Sequence, residues 1–374
     1  MKAALRTTLK KSADAVIRTI GGLLPKQLVA GREPMAPAVL PFQLPLPRNA
    51  AQLPPAYLAQ FDNERSLPER YFFHLRNVQV SWHGVVFQNL QMFRPSVLPA
   101  SVEAEFKGSF LLRQWWKRRA RPLPANEVVG LAYGPWAVGN YYHWIVDTLP
   151  RLLLLQRQYP GCRLLMPAGL PVYAAKTAAM FGFERQLLVQ PGEIVTVPQL
   201  VMPDYAAHPG YQDPALMREV RETVWRAVGA RPRPPGQPGR RVYVSRARQR
   251  IRRLLNEAAI EPLLRQYGFE TVYFETLSFE EQVQLLLETD VLVGIHGAGL
   301  TNTLFMRPNT TVVEFMSDSS CNPCYYHLAS GLGLNYNCLP SRSAEQGAAA
   351  HNNSDLTVDA SQLAQLFTTL FPTS

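Results

Sequence analysis

The strongest constraint on the fold lies in the last third of the chain, where short apolar stretches alternate with amphipathic helical ones. The apolar stretches typical of strands are RVYVSR, FETVYF, VLVGI and TTVVEF. The stretches with helical spacing are NEAAIEPLLRQYG, SFEEQVQLLLETD and LTNTLFMRP. This alternation predicts an α/β fold with a parallel sheet and helices on both faces. Ligands of such sheets bind beyond the carboxyl ends of the strands, so residues that follow a strand are the first site candidates.

The length of 374 residues favours two domains. The segment GARPRPPGQPGRR, residues 229–241, is dominated by proline, glycine and arginine and predicts a linker. It divides an N-terminal domain, residues 69–228, from a C-terminal domain, residues 242–374. The N-terminal domain has its own alternating strands and helices, with an antiparallel piece from residue 71 to about residue 97. We expect two α/β domains that face each other across a cleft.

Residues 1–68 form a separate region in this interpretation. Apolar residues at helical spacing, with basic residues between them, predict a helix over the first 25 residues. That helix either packs on the protein or lies on an anionic membrane surface. Because charged residues interrupt its apolar side, it is not predicted to be a signal peptide. The proline-rich remainder, to residue 68, predicts an extended arm.

The net charge of +10 favours anionic ligands. Nucleotides, membrane lipids and nucleic acid all qualify, but the chain has neither repeats nor an RNA-binding signature, so no nucleic-acid partner is predicted. No apolar run approaches the roughly 18 residues that span a bilayer. We expect a cytoplasmic protein, with peripheral membrane contact left open by the N-terminal helix.

The four cysteines include one C-x-x-C pair, Cys321 and Cys324. A structural zinc site usually needs a second pair at similar spacing, and only Cys338 and His327 are close to it in sequence. We therefore predict buried free thiols and no metal site.

Three ionisable residues, His143, Asp147 and Arg151, stand four residues apart in the leucine-rich segment GNYYHWIVDTLPRLLLL. On a helix this spacing places them on one face. A buried helix with an internal Asp147–Arg151 pair is one interpretation, but burying three such groups is costly unless they line a cleft. Pro150 interrupts the helix beside the carboxylate. We predict that Asp147 is a general base, that Arg151 holds its charge and that His143 orients an acceptor hydroxyl.

A glycine-rich loop follows the predicted strand VLVGI and precedes a helix. Gly297 and Gly299 leave backbone amides uncovered beside His296, and amides at a helix N-terminus form an anion site. Thr301 and Asn302 supply side-chain donors or caps there. A tight turn with a packed histidine is the alternative. The spacing fits neither a Walker loop nor the dinucleotide fingerprint.

Arginines cluster in YVSRARQRIRRLLNE, directly after the first strand of the C-terminal domain. Ser245 and Arg246 leave that strand, and five arginines fall within eight residues. They repel one another unless an anion is near, and a diphosphate suits guanidinium geometry. A solvated basic loop is the alternative. Asn256 and Glu257 either cap the next helix or lie beside the ligand, and Glu257 has the further option of pairing with an arginine.

Together these segments resemble glycosyltransferase family 61, also described as a capsular polysaccharide biosynthesis domain. The resemblance rests on HWIVDTLPRL, SRARQRIRRLLNE and GIHGAGLTNTLFMRPNTTVVEF, and covers about residues 130–316. It implies a GT-B fold of two facing Rossmann-like domains, a nucleotide-sugar donor, inversion at the anomeric carbon, and no metal or cofactor. The donor-binding residues it implies are Ser245, Arg246, Arg253, Asn256, Glu257, His296, Gly297, Ala298, Gly299, Leu300, Thr301, Asn302 and Glu314.

The predicted activity is transfer of a sugar to a hydroxyl of a glycan or lipid-linked glycan acceptor. Two alternatives stay open: an epimerase that acts on a nucleotide sugar without an acceptor, and a non-catalytic protein that binds nucleotide sugars or phosphoglycans. The sequence names neither the sugar nor the linkage.

Overall fold

The structure is a computed structural model that describes residues 31–88, 90–97, 105–106, 110–111, 120–208, 210–234, 237–345 and 353–372. The predicted N-terminal helix and its membrane contact lie outside these residues. In chain order the strands are β1 (Gly31–Ala36), β2 (Val39–Gln43), β3 (Glu64–Leu67), β4 (Arg70–Ser81), β5 (Val86–Gln88), β6 (Gln91–Met92), β7 (Arg121–Pro122), β8 (Val129–Gly130), β9 (Arg163–Pro167), β10 (Gln186–Val189), β11 (Ile194–Pro203), β12 (Arg240–Val244), β13 (Phe269–Val272), β14 (Thr289–Ile295), β15 (Thr311–Ser317), β16 (Asn335–Ser343) and β17 (Leu356–Thr357). The α-helices are α1 (Pro55–Leu58), α2 (Tyr141–His143), α3 (Leu149–Gln158), α4 (Val172–Met180), α5 (Pro214–Ala227), α6 (Glu257–Gln266), α7 (Phe279–Glu288), α8 (Cys324–Gly331) and α9 (Ala360–Leu370).

The chain forms two compact units. Unit 1 contains Leu67–Pro209 together with the residues up to Leu40, and unit 2 contains Pro41–Ser66 and Gly210–Ser374. Both units combine helices with parallel strands, which confirms the predicted α/β class.

Unit 1 is built on a mixed sheet with the strand order β10-β9-β8-β11-β4-β5-β6. Strands β10, β9, β8 and β11 run parallel to one another. Strand β4 pairs antiparallel with β11, β1 and β5. The predicted antiparallel piece is therefore part of the same sheet as the parallel strands. A cluster of buried apolar side chains that includes Val85, Phe87 and Leu111 packs beside β5.

Unit 2 is built on a sheet with the order β13-β12-β14-β15-β16-β17. All neighbours in it are parallel except β16 and β17. Its central strands are buried on both faces, as expected for a parallel sheet covered by helices. Helix α7 begins at a capping box formed by Ser278 and Glu281, which satisfies two backbone donors at its start. The predicted alternation of strands and helices in this region is confirmed.

The division between the units does not coincide with the predicted linker, residues 229–241, because helix α5 belongs to unit 2. Three side chains of α5 donate to backbone carbonyls of that unit: Arg218 to Gly331 at 3.0 Å, Arg221 to Met306 at 3.2 Å and Trp225 to Phe305 at 3.1 Å. The described part of the predicted linker is also fixed in unit 2, since Arg233 and the Gly239 amide both donate to Asp290. Composition indicated a boundary between domains, whereas these contacts make the segment a connection within one unit.

The predicted extended arm, residues 30–68, contains regular structure. Strand β1 joins the sheet of unit 1, and β2 pairs with β3. Residues 41–66 pack on unit 2, where the Arg48 amide donates to the Tyr336 carbonyl at 2.7 Å and the Tyr57 hydroxyl donates to the Ser317 carbonyl at 3.0 Å. Proline limits strand pairing but leaves such single contacts available.

Two other sequence predictions concern cysteines and membrane spans. The cysteines are free thiols, and Cys162, Cys324 and Cys338 are buried, as predicted, while Cys321 is half-buried. Within the described ranges, every helix is too short or too polar to cross a bilayer.

Candidate active site

In unit 1, the order of the parallel strands reverses at β8. The chain runs from β8 to β9 and β10 on one side, then returns to β11 on the other side of β8. Such a reversal leaves a crevice at the carboxyl ends of the two central strands. Arg151 of α3 donates to the carbonyl of Pro203, the last residue of β11, from Nε at 3.0 Å and from Nη2 at 2.8 Å. The helical segment that carries the predicted catalytic residues is therefore anchored at that end of the sheet.

This helical segment widens in its middle. Between α2 and α3 the residues Trp144–Thr148 form a π-helical turn, in which the Leu149 amide donates to the Trp144 carbonyl five residues earlier. Pro150 follows directly and has no amide hydrogen, so the normal bond to residue 146 cannot form. The predicted interruption at Pro150 is confirmed, in the form of a π-turn rather than a break. Turns of this kind are frequent at functional sites.

His143 and Asp147 form a hydrogen-bonded pair on this turn. His143 Nδ1 lies 2.7 Å from Asp147 Oδ2, and both side chains are mostly buried, with exposed fractions of 14% and 10%. A carboxylate accepts, so Nδ1 carries the proton and Nε2 keeps its lone pair in the neutral ring. The ring of Trp136 lies 4.6 Å from the imidazole, centroid to centroid. The pair thus has the arrangement of an oriented general base.

Arg151 is not bonded to Asp147. Its guanidinium is fully buried, donates to Pro203 and lies 4.5 Å from the ring centroid of Tyr205. Burial lowers the pKa of Arg151, while Tyr205, Asp204 and Asp147 favour its charged form. Arg151 therefore acts on Asp147 only through its field, and its direct contacts fix α3 to the end of β11.

Unit 2 has the same kind of crevice. Its chain runs from β12 to β13 on one side and then to β14 on the other side of β12, so the order reverses between β12 and β14. Val244, the last residue of β12, is in register with Gly294 of β14. Ser245 and Arg246 follow the first of these strands, and His296 and Gly297 follow the second. The structure thus brings together the two donor-binding segments that the sequence predicted.

The guanidinium of Arg246 lies against Gly297. A Cβ atom on Gly297 would come within 2.9 Å of Arg246 Nη1, so any side chain there would displace the guanidinium. Arg246 also donates to the carbonyls of Arg252 at 3.1 Å and Ile251 at 3.2 Å. Burial and the neighbouring Arg252 lower the pKa of Arg246. A partly buried guanidinium beside a second one is a site that an anion would stabilise.

The loop after β14 offers backbone donors next to this arginine. Residues Ala298–Phe305 form a 3-10 helix, and the Leu300 amide makes its first bond, to the Gly297 carbonyl. The amides of Gly297, Ala298 and Gly299 precede that bond, and the first amides of a helix have no partner within it. The predicted helix is therefore present in 3-10 form, and its start has the donors expected of an anion site.

His296 is hydrogen-bonded to the buried carboxylate of Glu314. Its Nδ1 lies 2.5 Å from Glu314 Oε1, and Glu314 Oε2 accepts from the Tyr336 hydroxyl at 2.6 Å. Glu314 is fully buried and Tyr336 is 1% exposed. Glu314 therefore contacts His296 and Tyr336 rather than the open side of the loop.

Ser245 and the start of α6 form a second small network. The Ser245 hydroxyl donates to Glu257 Oε1 at 2.6 Å and accepts from the Ala247 amide at 3.1 Å. Asn256 precedes α6 without capping it, and its side chain bonds instead to both backbone groups of Val358. Glu257 thus fixes Ser245 rather than an arginine, and Asn256 holds the segment before α9.

Two other arginines of the cluster, Arg253 and Arg248, contact different partners. Arg253 donates to Asp355 from its guanidinium at 2.7 Å and from its amide at 2.8 Å, and half of its side chain is exposed. Arg248 lies over the ring of Tyr273, 4.1 Å from the centroid. Arg246 is the arginine that the structure places against the glycine loop, whereas the predicted equivalence of Arg246 and Arg253 has no geometric support.

Three further predicted residues of the loop are buried in its core. Leu300 packs beneath Gly294, where an added Cβ would lie 3.3 Å from Leu300 Cδ2. The side-chain Nδ2 of Asn302 donates to Gln282 Oε1 at 2.7 Å. Thr301 is fully buried. These side chains stabilise the loop from inside, which leaves its backbone amides as the groups offered to a ligand.

Sequence reasoning missed Tyr336, Asp355 and the Tyr325 ring, which lies 5.0 Å from the ring of His296. Each belongs to an element far along the chain, and no spacing rule connects it with the loop that it supports.

A comparison with protein families agrees with the family resemblance of the sequence segments that form these two crevices. Residues 141–313 match the family model described as Glycosyltransferase 61. The match covers a little less than half of the chain, and this part of the chain is similar to that family. The matched range begins at the segment of His143 and Asp147 and includes both segments of the unit 2 crevice.

Curated relatives of the chain are glycosyltransferases. It is 32% identical over 136 residues to the EGF domain-specific O-linked N-acetylglucosamine transferase of Drosophila melanogaster, covering 36% of this chain and 26% of the relative. It is 35% identical over 63 residues to a beta-1,2-xylosyltransferase of Arabidopsis thaliana, covering 17% and 12%. It is 33% identical over 73 residues to the alpha-1,3-arabinosyltransferase XAT2 of Oryza sativa subsp. japonica, covering 19% and 12%. The matches thus span about a quarter or less of the lengths of these relatives.

Proposed function

We propose that this protein is an inverting glycosyltransferase that moves a sugar from a nucleotide-sugar donor to a hydroxyl of a glycan acceptor. The observation that carries the proposal is the placement of Arg246 against Gly297, beside the first amides of the 3-10 helix, which have no partner within that helix. A diphosphate needs this combination of a guanidinium and backbone donors. The names of the relatives, all of them sugar transferases, agree with it.

The donor is bound by unit 2 in this proposal. Arg246 and the amides of Gly297, Ala298 and Gly299 hold the diphosphate, and His296 adds a third kind of donor. The lowered pKa of Arg246, caused by burial and by Arg252, marks a cation that gains from a bound anion. Donors fixed before the reaction stabilise the charge that develops on the leaving diphosphate. We propose that this set replaces a metal ion.

The acceptor is activated by the pair on unit 1. Because His143 Nδ1 faces Asp147, the free Nε2 removes the proton of the acceptor hydroxyl, and Asp147 stabilises the imidazolium that results. The acceptor oxygen forms a bond to the anomeric carbon while the bond from that carbon to the diphosphate breaks, and its electron pair stays on the phosphate oxygen. A single displacement of this kind inverts the anomeric centre. Asp147, the predicted base, thus acts through His143.

The predicted GT-B arrangement of the two units is part of this proposal. It requires that the crevices of both sheets serve one reaction, with the donor on unit 2 and the acceptor on unit 1. The identity of the acceptor, including a lipid-linked one, is left to experiment.

The first test is a thermal-shift screen of nucleotide sugars, followed by a transfer assay with the sugar that stabilises the protein. A donor at a hundredfold excess over its Kd adds about 2.7 kcal/mol of stability. We expect transfer to a glycan hydroxyl, retained in excess EDTA. A product formed from the donor without an acceptor would instead indicate an epimerase, and tight binding without turnover a binding protein.

A further inference from the structure

Glu314 occupies a position that a ligand cannot reach. It lies in the middle of β15, in register with Gly294 on one side and Cys338 on the other, and it is fully buried. Each of its carboxylate oxygens has a protein donor, His296 Nδ1 on Oε1 and the Tyr336 hydroxyl on Oε2. The family resemblance counts Glu314 among the donor-binding residues, but its contacts indicate an indirect role.

Burying the Glu314 carboxylate in the middle of a strand has a high desolvation cost. Removing a carboxylate from water costs several kcal/mol, and a well-packed apolar pair is often at least as stable as a buried ionic one. The two donors offset part of that cost but do not explain why the group is there. A carboxylate that fixes the orientation and charge of a neighbouring functional group does explain it.

The groups around His296 indicate which function Glu314 supports. Glu314 faces it from β15, the Tyr325 ring lies 5.0 Å away on α8, and Arg246 lies against the next residue, Gly297. No described residue bonds to His296 Nε2. The ring therefore has one nitrogen committed to the protein and one available beside the cation and the amides of the proposed diphosphate site.

We propose that Glu314 and Tyr336 are positioning residues that hold His296 with Nδ1 toward Glu314, so that Nε2–H donates to the diphosphate of the donor. This role rests on the proposed function. In this role both ring nitrogens carry a proton: Nδ1–H donates to Glu314, whose bond fixes the ring plane, and Nε2–H is directed toward the diphosphate. As the bond between the sugar and the diphosphate breaks, the electron pair moves onto a phosphate oxygen, and the bond from Nε2 stabilises it. Tyr336 acts through Glu314 by fixing the carboxylate plane.

The first arm of the test is ¹⁵N NMR of the imidazole groups of the full chain, without any nucleotide. The chain has seven histidines, so the signals of His296 are identified by their loss in His296→Gln. We expect a proton on Nδ1 in a hydrogen bond, and we expect Glu314→Gln and Tyr336→Phe to change that signal. Addition of UDP or GDP should then shift Nε2.

The second arm separates binding from turnover. A donor to a developing oxyanion is worth on the order of 10²- to 10³-fold in kcat, and we expect a loss of that order in His296→Gln. The kcat of Glu314→Gln should fall to a similar or smaller extent and that of Tyr336→Phe by roughly tenfold, while the Kd for the intact nucleotide sugar changes much less than kcat. The matched control is Tyr326→Phe, since Tyr326 packs 5.6 Å from the ring of Tyr336 and its buried hydroxyl has no hydrogen-bond partner among the described residues. It should leave kcat and the His296 signals unchanged.

The outcomes distinguish this proposal from the proposed function. If UDP or GDP binds and Arg246→Ala weakens that binding, but the Nε2 signal does not move, the positioning role is overturned while the donor site stands. If Tyr336→Phe and Tyr326→Phe have the same effect, Tyr336 is only a packing residue. A wild-type protein that binds neither nucleotide and transfers no sugar overturns the proposed function and, with it, the diphosphate role of Nε2.

Discussion

His143 Nδ1 lies 2.7 Å from Asp147 Oδ2 on the π-helical turn of unit 1. If the two residues act as one general base, Asp147→Asn and His143→Gln each lower kcat by roughly 10²- to 10⁴-fold, the usual value of positioned acid–base catalysis. The double variant should be little slower than the worse single variant, because groups that act as a unit are not additive. Steady-state kinetics with a fixed acceptor measures this, and the Kd of the donor should stay constant.

Multiplicative losses in the double variant would mean that the two side chains act separately. Turnover within a few-fold of wild type in both single variants would make the pair structural, provided that circular dichroism shows that the variants are folded.

Arg246 and Arg253 form a matched pair for the donor site. Arg246→Ala removes the guanidinium that lies on Gly297 and should weaken nucleoside diphosphate binding by about 1.5–3 kcal/mol, the range for hydrogen bonds to charged groups. Arg253→Ala removes an exposed side chain that is paired with Asp355 and should change the affinity by less than about threefold. Calorimetry with the same nucleotide compares the two variants. Equal losses would return Arg253 to the donor site, where the sequence pattern had placed it.

The strands and helices with a regular apolar pattern could be predicted from the sequence. Strands β12 to β15 and helices α6 and α7 are each apolar or amphipathic along a single stretch, so local pattern is enough to place them. The glycine loop and Arg246 could also be found, because residues after parallel strands meet at one edge of the sheet.

The contacts that decide roles were not predictable. Helix α5 has the same pattern in either unit, and its bonds to distant carbonyls, such as those of Phe305 and Met306, fix it in unit 2. Arg253 looks equivalent to Arg246 in sequence, but Asp355, about a hundred residues later, engages it. Arg151 has the spacing of a partner for Asp147, whereas the Pro203 carbonyl is the group it bonds. Long-range partners override local spacing in all three cases.

Gly130, the last residue of β8, leaves no room for a side chain. A Cβ there would lie 2.4 Å from Leu155 Cδ2 and 2.8 Å from Cys162 Sγ, inside the contact between α3 and the sheet. Gly130→Ala should therefore lower the free energy of unfolding by about 1–3 kcal/mol, the typical cost of overpacking a core. The matched control is Gly161→Ala: no atom of the described residues would lie within 4 Å of the added Cβ, so its stability should stay within about 0.5 kcal/mol of wild type. Urea unfolding measures the free energy of unfolding of both variants. Equal values for Gly130→Ala and Gly161→Ala would contradict the close packing at Gly130.

His327 makes unit 2 sensitive to acid. Its Nε2 accepts from the Arg65 guanidinium, which can only donate, so the proton of the neutral ring is on Nδ1, which donates to the Gly210 carbonyl at 3.0 Å. Burial, with a contribution from Arg65, lowers the pKa of His327 to about 4. The unfolded chain, with an ordinary histidine pKa of about 6.5, binds this proton first as the pH falls. The stabilisation by His327 is therefore complete above about pH 6.5 and is lost progressively toward pH 4. Between pH 7 and pH 5 the loss should be about 2 kcal/mol. Urea unfolding at both pH values measures it in wild type and in His327→Gln. His327→Gln should be less stable than wild type at pH 7 but should lose less stability between pH 7 and pH 5. An equal loss in both proteins would show that His327 is not the group that titrates.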